Sequence, residues 1–263
     1  MQNTLPDAAD TNMLAVVCHG PRDYRLERVA RPQAGPRELV IRVASCGICA
    51  GDCKCWAGAP RFWGDPEKGR PAYVRPPVIA GHEFWGHVVE VGEGAQEHHG
   101  VQLGDRVIAE QIVPCHACRY CKTGFRWMCE VHDVYGFQGQ VADGGMAEYM
   151  RLSARAVVHR IPESVAFEDA AITEPLSCAI HAVNRGDIQL DDVVVIAGAG
   201  TLGLLMAQVA RLKTPRRLVV MDLSDQRLAL ARRCGADVTI NPAREDARAI
   251  VRALTDGYGC DVY

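Results

Sequence analysis

Four cysteines set the first chemical constraint. In Cys115-His-Ala-Cys118-Arg-Tyr-Cys121, followed after seven residues by Cys129, four thiolates fall within fifteen positions. One short loop of that spacing closes a tetrahedral sulfur shell around Zn2+, an ion with no ligand-field preference of its own. A closed shell leaves no room for substrate, so such an ion is structural, and its binding energy orders a lobe with little apolar core. Two disulfides or idle thiols are the bland alternative. The compact knuckle differs from the two separated Cys-x2-Cys pairs of a zinc ribbon, and a formal charge of -3 gives no basic footprint, so nothing here favours a nucleic-acid partner.

A second constellation is spread along the chain: Gly47-Ile48-Cys49-Ala50-Gly51-Asp52 and Gly81-His82-Glu83. A thiolate, an imidazole and a carboxylate from distant segments would supply three protein ligands and leave a position for water or substrate, the open shell of a catalytic zinc. Two other readings stay open on residues alone. His82 is also an ordinary candidate for a buried histidine, and Cys46 with Cys49 for a redox pair, although no thioredoxin-like βαβ context surrounds them. The third signal is Gly198-Ala199-Gly200-Thr201-Leu202-Gly203, which follows the apolar run Val193 to Ala197 and opens a helical pattern. An acidic residue, Asp222, closes the next strand-like run, as dinucleotide binding requires. The glycines allow a tight turn and close pyrophosphate approach, the helix start supplies free N–H donors, and Asp222 would accept from ribose hydroxyls. A carboxylate there repels a 2′-phosphate and so favours NAD over NADP.

The elements that must position these groups change character near residue 170. Short β-like runs, Leu39 to Ala44, His87 to Val91 and Arg106 to Ala109, are separated by Gly, Pro and Asp turns up to about Arg160. Beyond Asp169 the pattern alternates. Strands are expected at Val193–Ala197, Leu218–Met221 and Val238–Ile240, and helices at Leu204–Lys213, Gln226–Cys234 (closed by Gly235) and Ala243–Thr255, which is the βαβαβα order of a parallel sheet. Predicted domains are 13–168, with the cysteine lobe at about 110–132, and 169–263. The 263 residues are 48% hydrophobic and 23% charged, and no run approaches the ~18 apolar residues of a membrane span, so fibrous, disordered and membrane-spanning classes drop out. Met1 to Asp10 lacks the basic patch and apolar core of a secretory signal, which points to a reducing, cytoplasmic compartment and to metal rather than disulfide chemistry for the clustered cysteines. Of the scattered ones, Cys18 and Cys234 read as small buried apolar residues. The aromatic, proline-rich stretch Trp56 to Pro77 is open to two readings: a lid walled by Phe62 or Trp63, or packing anchors. His98 and His99 are read as solvated surface.

These features in this order closely resemble the zinc-dependent medium-chain alcohol dehydrogenases, in particular the polyol branch with its sorbitol and L-threonine dehydrogenases. The runs Gly47 to Trp56, Ala59 to Asp65 and Trp127 to Asp133 are most similar to erythritol/L-threitol dehydrogenases. The resemblance implies a β-rich GroES-like catalytic domain followed by part of a Rossmann domain, a doubly wound parallel sheet, with two zinc ions and NAD. It places Cys49, His82 and the glutamate of Thr173-Glu174-Pro175 around the catalytic zinc, with Glu83 a ligand or close neighbour, and Asp52 orienting the ligand histidine. Arg227 corresponds to a basic residue at the adenosine ribose. The implied reaction is Lewis-acid catalysis of hydride transfer from a small polyol to NAD. Better-known relatives carry a hydroxyl two residues after the catalytic cysteine and a histidine three further on; here these positions are Gly51 and Lys54, so Glu174 or Glu83 is expected to take the proton. A full-length form is expected to be a homodimer or homotetramer.

Three strands of the usual six are expected, with Asp261-Val262-Tyr263 read as the opening residues of the fourth, which leaves about 75 residues of that architecture, at roughly 25 per strand and connection, unaccounted for. A fragment with an open apolar edge at Val193 to Ala197 is therefore expected. Its rivals are a catalytically silent zinc-stabilised binding or oligomerisation module, a dehydrogenase for another polyol or amino alcohol such as sorbitol or L-threonine, and a zinc-free reductase of the same architecture. The last is disfavoured by Cys49, His82 and the four-cysteine lobe.

Overall fold

The computed structural model describes residues 11–263, so the Met1–Asp10 segment lies outside the described residues. The chain divides into two compact units, the first ending at Ile172 and the second running from Thr173 to Tyr263. No helix among the described residues is long and apolar enough to cross a membrane.

The strands of the first unit are β1 (Asn12–Gly20), β2 (Asp23–Ala30), β3 (Leu39–Gly47), β4 (Val78–Ile79), β5 (Glu83–Val91), β6 (Arg106–Ala109), β7 (Ile112–Val113), β8 (Asp133–Val134), β9 (Tyr149–Leu152) and β10 (Val158–Arg160). Its short helices are α1 (Ala50–Trp56), α2 (Pro60–Trp63), α3 (Ala95–His99), α4 (Arg119–Lys122) and α5 (Phe167–Ala171). The central sheet has the order β10-β6-β5-β3-β9, antiparallel at every pairing. Leu39, Ile41, Phe84, Val88, Val107 and Leu152 pack beneath it around Tyr135, whose ring meets Phe84 edge-on at 5.4 Å.

Strand Arg106–Ala109 coincides with the sequence expectation, whereas two others are longer. β3 runs on to Gly47 and β5 begins at Glu83, because the two pair along their whole length, with register shifts between Val40 and Ile41 and between Val43 and Ser45. Such bulges hide a strand from a period-two reading: the extra residue inverts the alternation, and Ser45-Cys46-Gly47 carries no apolar signal. Between α1 and β4 the sequence reading left a proline-rich loop. It holds α2 and a 3-10 turn at Pro66–Lys68. Phe62 is buried and stacks on Phe137 at 5.4 Å, while Trp63 Nε1 donates to the Cys55 carbonyl at 2.7 Å, so both act as packing anchors in place of a lid. Cys18 is buried in the same cluster, as expected of a small apolar residue.

The second unit begins with α6 (Thr173–Arg185) and continues β11 (Val193–Ala197), α7 (Thr201–Arg211), β12 (Arg217–Met221), α8 (Asp225–Arg233), β13 (Val238–Ile240) and α9 (Ala247–Ala253). Its three strands are parallel in the order β11-β12-β13. Their central residues, Val193 to Ile196 and Leu218 to Val220, are buried on both faces, which is why they read as continuous apolar runs. The differences from the sequence expectation concern helix ends: α7 starts at Thr201, three residues before the expected Leu204, because the glycine turn caps it directly. α9 starts four residues later than expected because Asp246 caps it, Oδ1 accepting from Ala249 N at 3.0 Å, while Asn241 and Glu245 organise a turn before it. The outer edge of β11 is partly covered, since Val195 N donates to the Val262 carbonyl at 2.9 Å and Asp261 N to that of Val193 at 3.0 Å. Cys234 is half-buried against the core of this unit.

Leu39 has no exposed surface and belongs to the main buried cluster of the first unit. Leu39→Ala is expected to cost about 2–5 kcal/mol. Urea unfolding followed by tryptophan fluorescence checks this, because Trp56, Trp63, Trp85 and Trp127 all belong to the first unit.

Candidate metal centres and nucleotide-binding turn

The pairing of β3 with β5 positions the first centre. Gly47 ends one strand opposite Glu83 at the start of the other; His82 precedes Glu83 directly, and Cys49 follows two residues after Gly47. Cys49 is the N-cap of α1: Gly51 N donates to its Sγ at 3.3 Å, and Asp52 Oδ2 accepts from Cys49 N at 2.8 Å. The other oxygen of Asp52 lies 3.4 Å from His82 Nδ1, both side chains being buried. That nitrogen has no partner within hydrogen-bond geometry. One carboxylate thus braces the cysteine backbone and faces the histidine ring.

Ligand atoms of Cys49, His82 and Glu83 all lie within 4.8 Å of one another. A tetrahedral ion bonded at about 2.0–2.3 Å needs ligand separations of about 3.3–3.8 Å, so small side-chain rotations suffice to close the three on a metal. The electrostatics agree. Burial alone disfavours an imidazolium at His82, yet the Asp52 carboxylate and the Cys49 sulfur outweigh it and raise the ring to about 10. The same excess of negative charge suits a divalent cation. The ring of His82 lies 5.3 Å from that of Phe137, which with Phe62 forms an apolar wall. A side chain at Gly51 would begin 3.5 Å from Cys49 Sγ, 3.8 Å from Phe62 Cζ and 3.9 Å from His82 Cε1, all ordinary contacts, so crowding does not explain the missing hydroxyl there. Lys54 is exposed.

Glu174 lies elsewhere in the chain, buried in the first turn of α6 and thus in the second unit, where Cys178 Sγ is 3.6 Å from its Oε1. Burial pushes the Cys46 thiol up to about 12, and a protonated thiol is a poor nucleophile, which argues against a redox pair with Cys49.

In the lobe, Cys115, Cys118, Cys121 and Cys129 also place their sulfurs within 4.8 Å of one another. The Cys115–Cys121 separation of 4.0 Å is close to the edge, about 3.8 Å, of a sulfur tetrahedron with metal bonds of about 2.3 Å. Backbone donors converge on the sulfurs, Cys115 N on Cys129 Sγ at 3.3 Å and Ala117 N and Cys118 N on Cys115 Sγ at 3.4 and 3.3 Å. N–H groups of Cys121 and Glu130 bring the Cys118 thiol down to about 6, whereas burial and then the neighbouring thiols push Cys121 up to about 12. Four thiolates cannot coexist there without a cation. All twelve cysteines are free thiols, so the disulfide alternative is not realised.

The glycine-rich turn of the second unit has the form its sequence demands. Gly198 takes φ +106°, Gly200 caps α7 without a side-chain bond, and Thr201 and Leu202 open that helix. At Gly203 an added Cβ would fall on the Gly198 carbonyl oxygen, so only glycine lets the helix pack so close to the turn. Asp222 stands just past β12 with Oδ2 accepting from Ala199 N and Oδ1 from Ser224 N, each at 2.8 Å, and Arg227 Nη1 lies 3.9 Å away. The backbone bonds from Ala199 and Ser224 hold its carboxyl below the usual aspartate range. Gly198, Asp222, Ser224 and Arg227 line, with Pro242, Ala247 and Tyr263, an open groove of about 690 Å3.

Sequence reasoning thus located Cys49, Asp52, His82 and Glu83 in one cluster, the four lobe cysteines in another, and Asp222 with Arg227 beside the glycine turn. It missed Phe137, which no local pattern marks and which reaches the site through stacking on Phe62.

Comparison with known proteins adds to this geometry. Residues 35–163 match the alcohol dehydrogenase GroES-like domain and residues 201–263 the zinc-binding dehydrogenase family. Over its whole length the chain is 50% identical to an erythritol/L-threitol dehydrogenase of Mycolicibacterium smegmatis, spanning 71% of that protein. It is 34% identical over 255 residues to human sorbitol dehydrogenase, covering 96% of this chain and 67% of that one. A zinc-binding dehydrogenase of Sinorhizobium meliloti, crystallised with NADP, superposes with a TM-score of 0.81 at 29% identity, over 95% of this chain and 67% of that one. The chain therefore belongs to the zinc-dependent medium-chain alcohol dehydrogenase family, its first unit GroES-like and its second a partial Rossmann sheet. The polyol enzymes of the Mycolicibacterium and human relatives are its neighbours within that family.

The lobe's sulfur cluster makes a direct prediction. Cys121→Ser is expected to remove one equivalent of zinc per chain and lower the melting temperature, while the second equivalent stays bound. Metal content after gel filtration, read with a thermal melt, checks both halves.

Proposed function

We propose that this chain carries the machinery for oxidising a small polyol of the erythritol or threitol type, with NAD as hydride acceptor. The observation that carries the reading is the convergence of Cys49, His82 and Glu83 in a chain half identical, along its full length, to an erythritol/L-threitol dehydrogenase. Zinc, when bound, supplies Lewis-acid polarisation of the substrate hydroxyl. The rest falls to side chains. Cys49, His82 and Glu83 hold the ion, and Asp52 fixes the orientation of His82 and of the Cys49 backbone. Phe62 and Phe137 keep water from one side of the ring. Neither Gly51 nor Lys54 offers a proton relay, so a carboxylate other than the bracing Asp52 accepts the substrate proton: Glu83 at the cluster, or Glu174, proposed on family resemblance alone. The N–H groups at the start of α7 suit a pyrophosphate, and the ionised Asp222 suits free ribose hydroxyls and opposes a 2′-phosphate, in contrast to the NADP found in the Sinorhizobium protein. Reduced cysteines throughout fit a reducing compartment, and self-association as a dimer or tetramer is part of the same reading.

Initial rates with erythritol, both threitols, sorbitol and L-threonine test it. The expected result is the highest kcat/KM for a four-carbon polyol and a preference for NAD over NADP of about tenfold or more, about 1.4 kcal/mol. Binding of zinc and NADH without turnover of any of these would instead identify a silent module, and equal use of NADP would overturn the role given to Asp222.

The pH dependence of cofactor binding follows from Asp222. Because its carboxyl is held below the ordinary value of about 3.9, Asp222 stays ionised, and able to accept from ribose hydroxyls, until pH falls through that lowered value. NADH fluorescence titrations should show Asp222→Asn weakening affinity several-fold at pH 7. The two proteins should approach each other only in strong acid.

A further inference from the structure

Gly47 stands directly opposite Glu83 in the antiparallel β3–β5 pair. Its backbone lies outside the left-handed region that calls for glycine, so conformation does not explain the residue. Space does. Opposed residues of an antiparallel pair normally keep their Cβ atoms about 4.5–5.5 Å apart. A Cβ built on Gly47 would sit 3.1 Å from Glu83 Cβ and 3.4 Å from Glu83 Cδ, and would fall on Glu83 Oε2. The carboxylate therefore leans across the bare backbone of Gly47, and in that posture it shares the cluster with Cys49 and His82.

We propose that Gly47 is a positioning residue for the metal centre: its missing side chain is the slot that lets the Glu83 carboxylate turn toward Cys49 and His82. This rests on the reading of Glu83 as a metal ligand. The obstacle that a side chain at position 47 would meet first is the end of a flexible glutamate, and the Glu83 Cβ at 3.1 Å asks the strands to give by only a few tenths of an ångström, so alanine there turns the carboxylate away while the pairing persists. Its effect falls on the ion and spares the fold. A purely architectural glycine would do the reverse.

The test uses the zinc-loaded full chain as wild type, Gly47→Ala, Glu83→Ala and the double variant. Zinc retained against graded chelator is measured, with the four-cysteine zinc as internal reference, alongside the melting temperature. Gly47→Ala and Glu83→Ala are each expected to weaken only the second zinc, by about 10–100-fold. The double variant should hold it no worse than Glu83→Ala alone, since the slot has no purpose once the carboxylate is gone, and Gly47→Ala should melt within a few degrees of wild type. Wild-type zinc retention by Gly47→Ala beside a loss in Glu83→Ala overturns the inference and leaves the ligand reading standing. Wild-type retention by Glu83→Ala overturns the ligand reading and the inference with it. Additive losses in the double variant, or unfolding of Gly47→Ala that Glu83→Gly in the same chain does not repair, assign Gly47 an independent structural role and also overturn the proposal.

Discussion

The register between β3 and β5 is the constraint on which the first centre depends. Cys49 and Glu83 are far apart in sequence, and what joins them is that Gly47 meets Glu83 across the ladder. A slip of one residue would send Glu83 to the opposite face of the sheet and remove His82 from Asp52. The bulges at Val40/Ile41 and Val43/Ser45 belong to this constraint, because they adjust the count along the pair until its last rung falls there. Burial of Leu39, Ile41, Phe84 and Val88 beneath the same strands holds the register in place.

Asp52 extends this order by one step. One of its oxygens accepts from the backbone of the α1 cap and the other faces the ring of His82, so a single buried carboxylate adjoins both the cysteine and the imidazole. The polar atoms involved are buried among Phe62 and Phe137, where the low dielectric strengthens each interaction and penalises any that is left unmade. The second unit solves a different problem with similar economy: Asp222 satisfies the backbone of the glycine turn, through Ala199, before any nucleotide arrives.

What was legible in the sequence was what is local. The four lobe cysteines, the glycine turn with Asp222, and strands Arg106–Ala109, Val193–Ala197 and Val238–Ile240 are each defined within a few residues, and the structure has them where the pattern puts them. The Cys49 and His82 motifs were visible, yet their meeting was not, since periodicity says nothing about pairing partners. Phe137 enters through a ring stack with Phe62 that has no sequence counterpart, and α2 was hidden because proline at its first position reads as a breaker before it reads as a helix start. α9 was overextended for the opposite reason: residues 243–246 look helical by composition, but Glu245 spends its side chain on the Asn241 backbone and Asp246 on the helix cap.

The two side-chain clusters proposed to hold zinc differ in how far apart their members lie along the chain, and this bears on the order in which they are built. The lobe's sulfurs span fifteen positions, a loop whose closure costs little entropy and needs no sheet. The other set comes together only after a long-range antiparallel pairing of the slow-forming kind. On the proposed zinc reading, the lobe is able to capture an ion as a nascent segment, ahead of the surrounding architecture, while the second cluster exists to be metallated only in a chain that has already folded.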